Sequence, residues 1–250
     1  MFEIESDLHT HTIASGHAYS TVDEMAKGAF INDIKLIAIT DHGPQLPGGP
    51  HLYHFGNINV IPNKLYGVTI LKGVEANILD EGKLDLEADL LKTLDFVSAG
   101  IHRQTGHSLK NKEDYTEATI KAMGNPYLDM ITHPVQKEYP LDLDKVARAA
   151  AENNVILEIN ASSYSSKKES IRGIKSESIK LLKLAKKYGF QIAINSDAHF
   201  HKEVGDYSNL DFIFNSKDYD RNLIVNRTQE SVLNYLRLRE QRLKELKKTI

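Results

Sequence analysis

The segment "DLHTHTIASGH" (residues 7–17) sets His9, His11 and His17 close together near the start of the chain. Side chains two apart on an extended strand point the same way, so His9 and His11 can converge on one ion. The spacing recurs in "NSDAH", where Asp197 and His199 stand two apart. Imidazole and carboxylate together suit zinc, manganese or iron, ions that support hydrolysis by polarising oxygen atoms. The 250 residues include no cysteine, which removes thiolate sites, cysteine nucleophiles and disulfides. Zinc held only by histidine and carboxylate is the pattern of catalytic sites rather than closed structural ones.

Elements must bring these residues together. Six short apolar runs read as strands, at 36–40, 68–76, 94–101, 128–132, 155–161 and 190–196. They are nearly continuous and rich in β-branched residues, as strands buried on both faces should be. The opening "FEIESDL" (2–8) reads as a weaker seventh strand. Helical patterns cover 23–33, 85–94, 111–124, 142–154 and 176–189, and an amphipathic C-terminal helix covers about 228–248. The Gly/Pro-rich stretch 43–67 reads as mostly loop. Strand–helix alternation predicts a parallel sheet with helical crossovers. Seven units in 250 residues match an α/β barrel in a single domain, residues 1–250. An open doubly wound sheet is the alternative, although no Gly-rich dinucleotide fingerprint follows any strand.

In a parallel barrel the C-terminal strand ends share one face, where active sites are built. His9, His11, His17, His42, Glu75, His102, His133, Asp197 and His199 all fall at such ends or just beyond. Only the strand "VILEINA" contributes none of these residues there. A lone histidine is ordinarily a hydrogen-bonded or surface residue, but nine histidines and acids at one end point to metal. Nine ligands exceed what one ion needs, so two or three ions are expected. Glu75, with two carboxylate oxygens, is the best bridge between them. Asp7, two before His9, and Asp41 are candidates to orient a ligand imidazole. His51 and His54 read as surface polarity near the mouth, and His107 as a loop residue away from the ions. His201 is expected to face substrate or solvent, and Ser162 and Ser163 to line the pocket or be plain loop residues.

The ordered segments "DLHTHTIASGHAYST", "AITDHGP", "KGVEAN", "AGIH", "ITHP", "LEINASS" and "NSDAH" resemble the signatures of the polymerase-and-histidinol-phosphatase (PHP) superfamily. Within it, the chain is similar to the stand-alone YcdX-like phosphatases. The resemblance spans residue 7 to about 200 and is silent on the C-terminal helix. It implies a distorted (β/α)7 barrel, TIM-like, with a trinuclear site of divalent ions, usually zinc, with manganese or iron as alternatives. It implies that His9, His11, Glu75 and Asp197 hold one ion. Glu75, His102 and His133 would hold a second, and His17, His42 and His199 a third. The implied reaction is hydrolysis of phosphate monoesters: a metal-bound hydroxide attacks phosphorus while the ions clamp its oxygens. The ligands are then the catalytic residues, with Glu75 bridging. Arg103 could fork onto a phosphate or make a surface salt bridge. The closest alternative is a histidinol-phosphate phosphatase. An amidohydrolase shares the His-x-His strand but expects one or two ions and eight strands. A non-catalytic PHP module expects a degraded ligand set.

The net charge of -3 gives no field that would draw nucleic acid or an anionic membrane. No apolar run reaches membrane-spanning length, and the acidic start does not resemble a secretory signal. A cytoplasmic enzyme with a small phosphorylated substrate is expected, its oligomeric state open.

Overall fold

The computed structural model describes residues 4–164 and 171–249. Eight strands occur among them: β1 (Ser6–Thr10), β2 (Leu36–Ile39), β3 (Lys64–Leu65), β4 (Val68–Asn77), β5 (Phe96–Gly100), β6 (Met130–Ile131), β7 (Ile156–Asn160) and β8 (Ile192–Asn195). Seven of these run parallel in the order β1-β2-β4-β5-β6-β7-β8, while β3 pairs antiparallel with β4. The helices are α1 (Val22–Ile31), α2 (Leu52–Asn57), α3 (Ala88–Leu91), α4 (Lys112–Met123), α5 (Leu143–Asn153), α6 (Ile171–Tyr188), α7 (Asp211–Phe214) and α8 (Gln229–Thr249). Side chains open the crossover helices. Thr21 and Glu24 form a reciprocal capping box on α1, Asn111 caps α4 and Asp142 caps α5.

The parallel strands close into a distorted barrel. The ends meet at a single backbone bridge, Thr10 to Ala198, with His11 N donating to Ala198 O. Side chains stitch the rest of that seam. Leu8 N donates to Asn195 Oδ1, and Asp7 accepts from Ser196 N, Ser196 Oγ and Gly205 N.

Leu8, Leu36, Leu71, Phe96, Met130, Ile156 and Ala193, one from each parallel strand, pack together with Val232 and Tyr235 of α8. The C-terminal helix therefore closes the barrel floor. Its Arg239 reaches beneath the strands, with Nε 3.0 Å from Asp129 Oδ1. The Arg239 guanidinium also donates to Asp95 O and Tyr127 O. Period-two alternation carries the inward faces upward from this apolar layer to Glu75, Gly100, Glu158 and Asn195. In β1 the pairing register slips by one residue between Asp7 and Thr10. Leu8 can thus join the floor while His9 and His11 face the upper layer.

The expected elements shift at three places. The 43–67 stretch contains α2, a short 3-10 turn at Ile58–Val60 and β3, too brief to leave a periodic signal. The 85–94 helix shrinks to the four residues of α3. The first strand runs Ser6–Thr10 rather than 2–8, and Phe2 and Glu3 lie outside the described residues.

Candidate metal centre

At the C-terminal end of the barrel the nine residues named from sequence converge. His9 Nε2 lies 3.3 Å from Glu75 Oε2 and 3.4 Å from Asp197 Oδ1. His11 Nε2 lies 3.5 Å and 3.2 Å from the same two oxygens. Ligands about 2.0–2.1 Å from a tetrahedral zinc stand about 3.3 Å from one another, so this set has the size of one coordination shell. A second set shares the other oxygen. Glu75 Oε1 lies 3.2 Å from His102 Nε2 and 3.0 Å from His133 Nε2, which are 3.2 Å apart. In a third group, His17 Nε2 and His199 Nε2 are 3.0 Å apart. The His42 ring stacks on His17 at 5.0 Å between centroids, and its Nδ1 lies 2.8 Å from Glu75 Oε2. His42 therefore stands between the third group and the glutamate.

Six of the seven imidazoles turn Nε2 inward because the protein occupies Nδ1. His9 Nδ1 meets Glu158 Oε1 at 2.8 Å, His11 Nδ1 meets Ser15 Oγ at 3.0 Å and His102 Nδ1 meets Asn77 Oδ1 at 2.8 Å. His17 and His199 bond the carbonyls of Ser15 and Asp197, while at His133 Nδ1 the Gln136 amide nitrogen orients the ring without offering an acceptor. Such partners fix tautomer and ring orientation at metal-binding histidines. The inward atoms are left over. His9 Nε2, His11 Nε2, His42 Nδ1 and Glu75 Oε2 are buried without a hydrogen-bond partner. Buried polar atoms are rarely orphaned in this way, and divalent cations among them would satisfy all four. The donor set thus fits divalent metal.

Electrostatics favour positive charge there. Burial opposes ionisation of Glu75, but His9, His102 and His42 outweigh it and hold the carboxyl well below its usual range. Asp197 is likewise held well below its range, as His9 and His11 overcome burial. Burial and the His42 imidazole push His11 down to about 3, and burial also lowers His17 and His42. Neutral imidazoles are the form that binds metal. For His9, burial is outweighed by Glu158, Glu75 and Asp197, which raise it well above its usual value. Backbone strain appears at two of these residues: His133 and Asp197 have φ of 32° and 56°, in left-handed territory that costs most side chains energy.

The remaining candidates separate. Asp41 accepts from Ser15 Oγ at 2.7 Å and so acts on His11 through that serine. Asp7 touches no imidazole; it spans the β1–β8 seam. His201 does not face the centre, because a 3-10 turn (His201–Glu203) breaks the alternation after His199 and its Nδ1 pairs with Ser20 Oγ. Arg103 lines the mouth of a cleft of about 260 Å³ above the centre, paired with Glu138. His51 caps α2, and His54 Nε2 lies 3.3 Å from Asp41. His107 is nearer than its loop suggested, donating to His102 O. Ser163 N bonds Asn160 rather than facing the cleft. Four residues escaped sequence reasoning: Ser15, Asn77, Gln136 and Glu158. Glu158 left the clearest trace, a lone acid inside the apolar run "VILEINA".

Comparison with known proteins gives a family and a likeness of fold. The family model described as "PHP domain" matches residues 7–162. A probable phosphatase of Acetivibrio thermocellus is 46% identical over 95% of this chain and 97% of its own length. A probable phosphatase of Caldanaerobacter subterraneus subsp. tengcongensis is 43% identical over 95% of this chain and 92% of its own. Among solved structures, histidinol phosphate phosphatase from Lactococcus lactis, complexed with Zn, L-histidinol and phosphate, superposes with a TM-score of 0.60. That pair is 20% identical over 80% of this chain and 88% of the other, a likeness of fold.

Proposed function

Since the chain belongs to the PHP domain family, we propose that it is a metal-dependent phosphatase acting on small phosphate monoesters at a three-ion centre in one domain. The observation that carries the reading is the division of Glu75. Its Oε2 faces His9 and His11, and its Oε1 faces His102 and His133. His9, His11, Glu75 and Asp197 would hold one ion; Glu75, His102 and His133 a second; His17, His42 and His199 a third. Zinc is the first expectation, with manganese and iron as alternatives for such donors. When bound, the ions supply Lewis acidity, neutralising phosphoryl charge and activating water near neutral pH.

The chain's own residues do the rest. Glu158, Ser15 and Asn77 hold three imidazoles in the tautomer that presents a lone pair inward. Buried walls exclude bulk water below the centre, while the cleft leaves it open above. Arg103 stands at that opening, where its guanidinium can leave Glu138 for a substrate phosphate. The cleft volume of about 260 Å³ suits a small metabolite.

The test is hydrolysis of p-nitrophenyl phosphate and a panel of phosphorylated metabolites, histidinol phosphate included. The panel is run before and after chelation and again after reloading with zinc, manganese or iron. Activity lost on chelation and restored on reloading is expected. A loaded protein inert toward every monoester would end this reading.

A further inference from the structure

We propose that Glu158 is a positioning residue that couples two of the ligand sets, holding His9 through its ring and His133 through its backbone. The inference rests on the metal-centre reading above. Glu158 lies on β7, the parallel strand that supplies none of the nine candidate ligands, and is fully buried. Four N–H donors converge on it. Oε1 accepts from His9 Nδ1 at 2.8 Å and from Asn195 Nδ2 at 2.8 Å. Oε2 accepts from His133 N at 2.7 Å and from Asn160 Nδ2 at 3.2 Å.

The arrangement has one consistent proton assignment. Leu8 N and Asn226 Nδ2 both donate to Asn195 Oδ1, which leaves Asn195 Nδ2 to face Glu158. Oε1 is thus an acceptor, and the bond to His9 requires a proton on Nδ1. His9 Nε2 is then the atom free for metal, beside Glu75 and Asp197. Asn160 Nδ2 also reaches Asp197 Oδ2 at 3.1 Å, so the same carboxylate steadies a third ligand. A buried carboxylate is costly unless saturated with hydrogen bonds, and here each oxygen accepts two. Glutamine cannot replace it, because its amide nitrogen would oppose two donors on one side.

Wild type and Glu158→Gln are stripped, then titrated with Co²⁺ by calorimetry and visible absorption, with thermal melting alongside. Loss of an outer partner of this kind costs about 10–100-fold in metal affinity. That loss is expected for the two ions assigned to the His9 and His133 sets, with the His17/His42/His199 ion unchanged. Unchanged affinity at every site overturns the proposal. So does equal weakening of all sites with a lower melting temperature, which indicates general loosening. A second measurement needs no variant: ¹⁵N-histidine NMR of the metal-free wild type. His9 Nδ1 is expected to be protonated and slow to exchange; an unprotonated Nδ1 overturns the proposal even if Glu158→Gln fails to fold. If wild type binds no ion cluster, the metal-centre reading fails instead, and the His9 proton still decides the Glu158–His9 bond.

Discussion

Gly100→Ala should damage one ligand set and spare another. Gly100 ends β5, and a methyl group there would lie 2.4 Å from Thr132 Oγ1, 2.7 Å from His133 Cε1 and 3.2 Å from His102 Cε1. Carbon atoms settle at about 3.5 Å or more, so the His133 ring must retreat by about 0.8 Å and that of His102 by about 0.3 Å. Metal–ligand distances tolerate only about 0.2 Å, and Nε2 is bonded directly to the displaced Cε1. The ion proposed for Glu75, His102 and His133 should therefore bind about 10–100-fold more weakly, by analogy with lost ligand support. Overpacking should also cost about 1–3 kcal/mol, lowering the melting temperature by about 2–12 °C in a chain of this size. None of His9, His11 and Asp197 supplies the atoms nearest the new methyl, so that set should keep its affinity. Calorimetric titration of stripped protein reads each site. Gly56→Ala is the control, since a methyl there meets nothing within 4 Å. The close packing of Gly100 against His133 and His102 is refuted if Gly100→Ala takes up every ion with wild-type affinity and melts at the wild-type temperature.

Other consequences can be read from the same structure. Arg239→Met leaves the buried Asp129 carboxylate without its 3.0 Å partner and should cost about 3–5 kcal/mol, measured by urea unfolding, while the folded enzyme keeps its kinetic constants. Burial pushes Asp7 up from its ordinary 3.8 to about 6, against opposing hydrogen bonds from Ser196 and Gly205. The folded state then holds a proton that the unfolded state releases, so stability falls as pH rises through the window from 3.8 to about 6, by up to about 3 kcal/mol. Asp7→Asn should flatten that slope in metal-free protein; an unaltered slope would count against the assignment. Arg103→Ala removes an exposed side chain and should lower kcat/KM by about 10–100-fold, as loss of one charged hydrogen bond to phosphate would, without moving the melting temperature.

The barrel and the convergence of the candidate ligands were legible because strands buried on both faces leave continuous apolar runs, and histidines and acids punctuate their ends. His9 and His11 were readable as a pair from local spacing alone. The same rule failed at His201, where the strand-like spacing from His199 runs into a 3-10 turn. Asp7 was placed on the right strand but given the wrong partner: Ser196 lies 189 residues away, and only barrel closure brings it near. Glu158 was hidden for a different reason. Period two puts it on one face with Ile156 and Asn160, inside the barrel, but a search confined to strand ends passes over it. The β3 pairing left no signal, since two residues cannot show a period.

On the reading proposed above, Glu75 bridges two ions in a cluster of three. The most direct test is metal content by mass spectrometry for loaded wild type and Glu75→Ala, with melting curves to confirm folding. Three ions per chain are expected in wild type and one in the variant, that of His17, His42 and His199. A variant that loses a single ion, or a wild type that never holds more than one, would contradict the bridging role of Glu75.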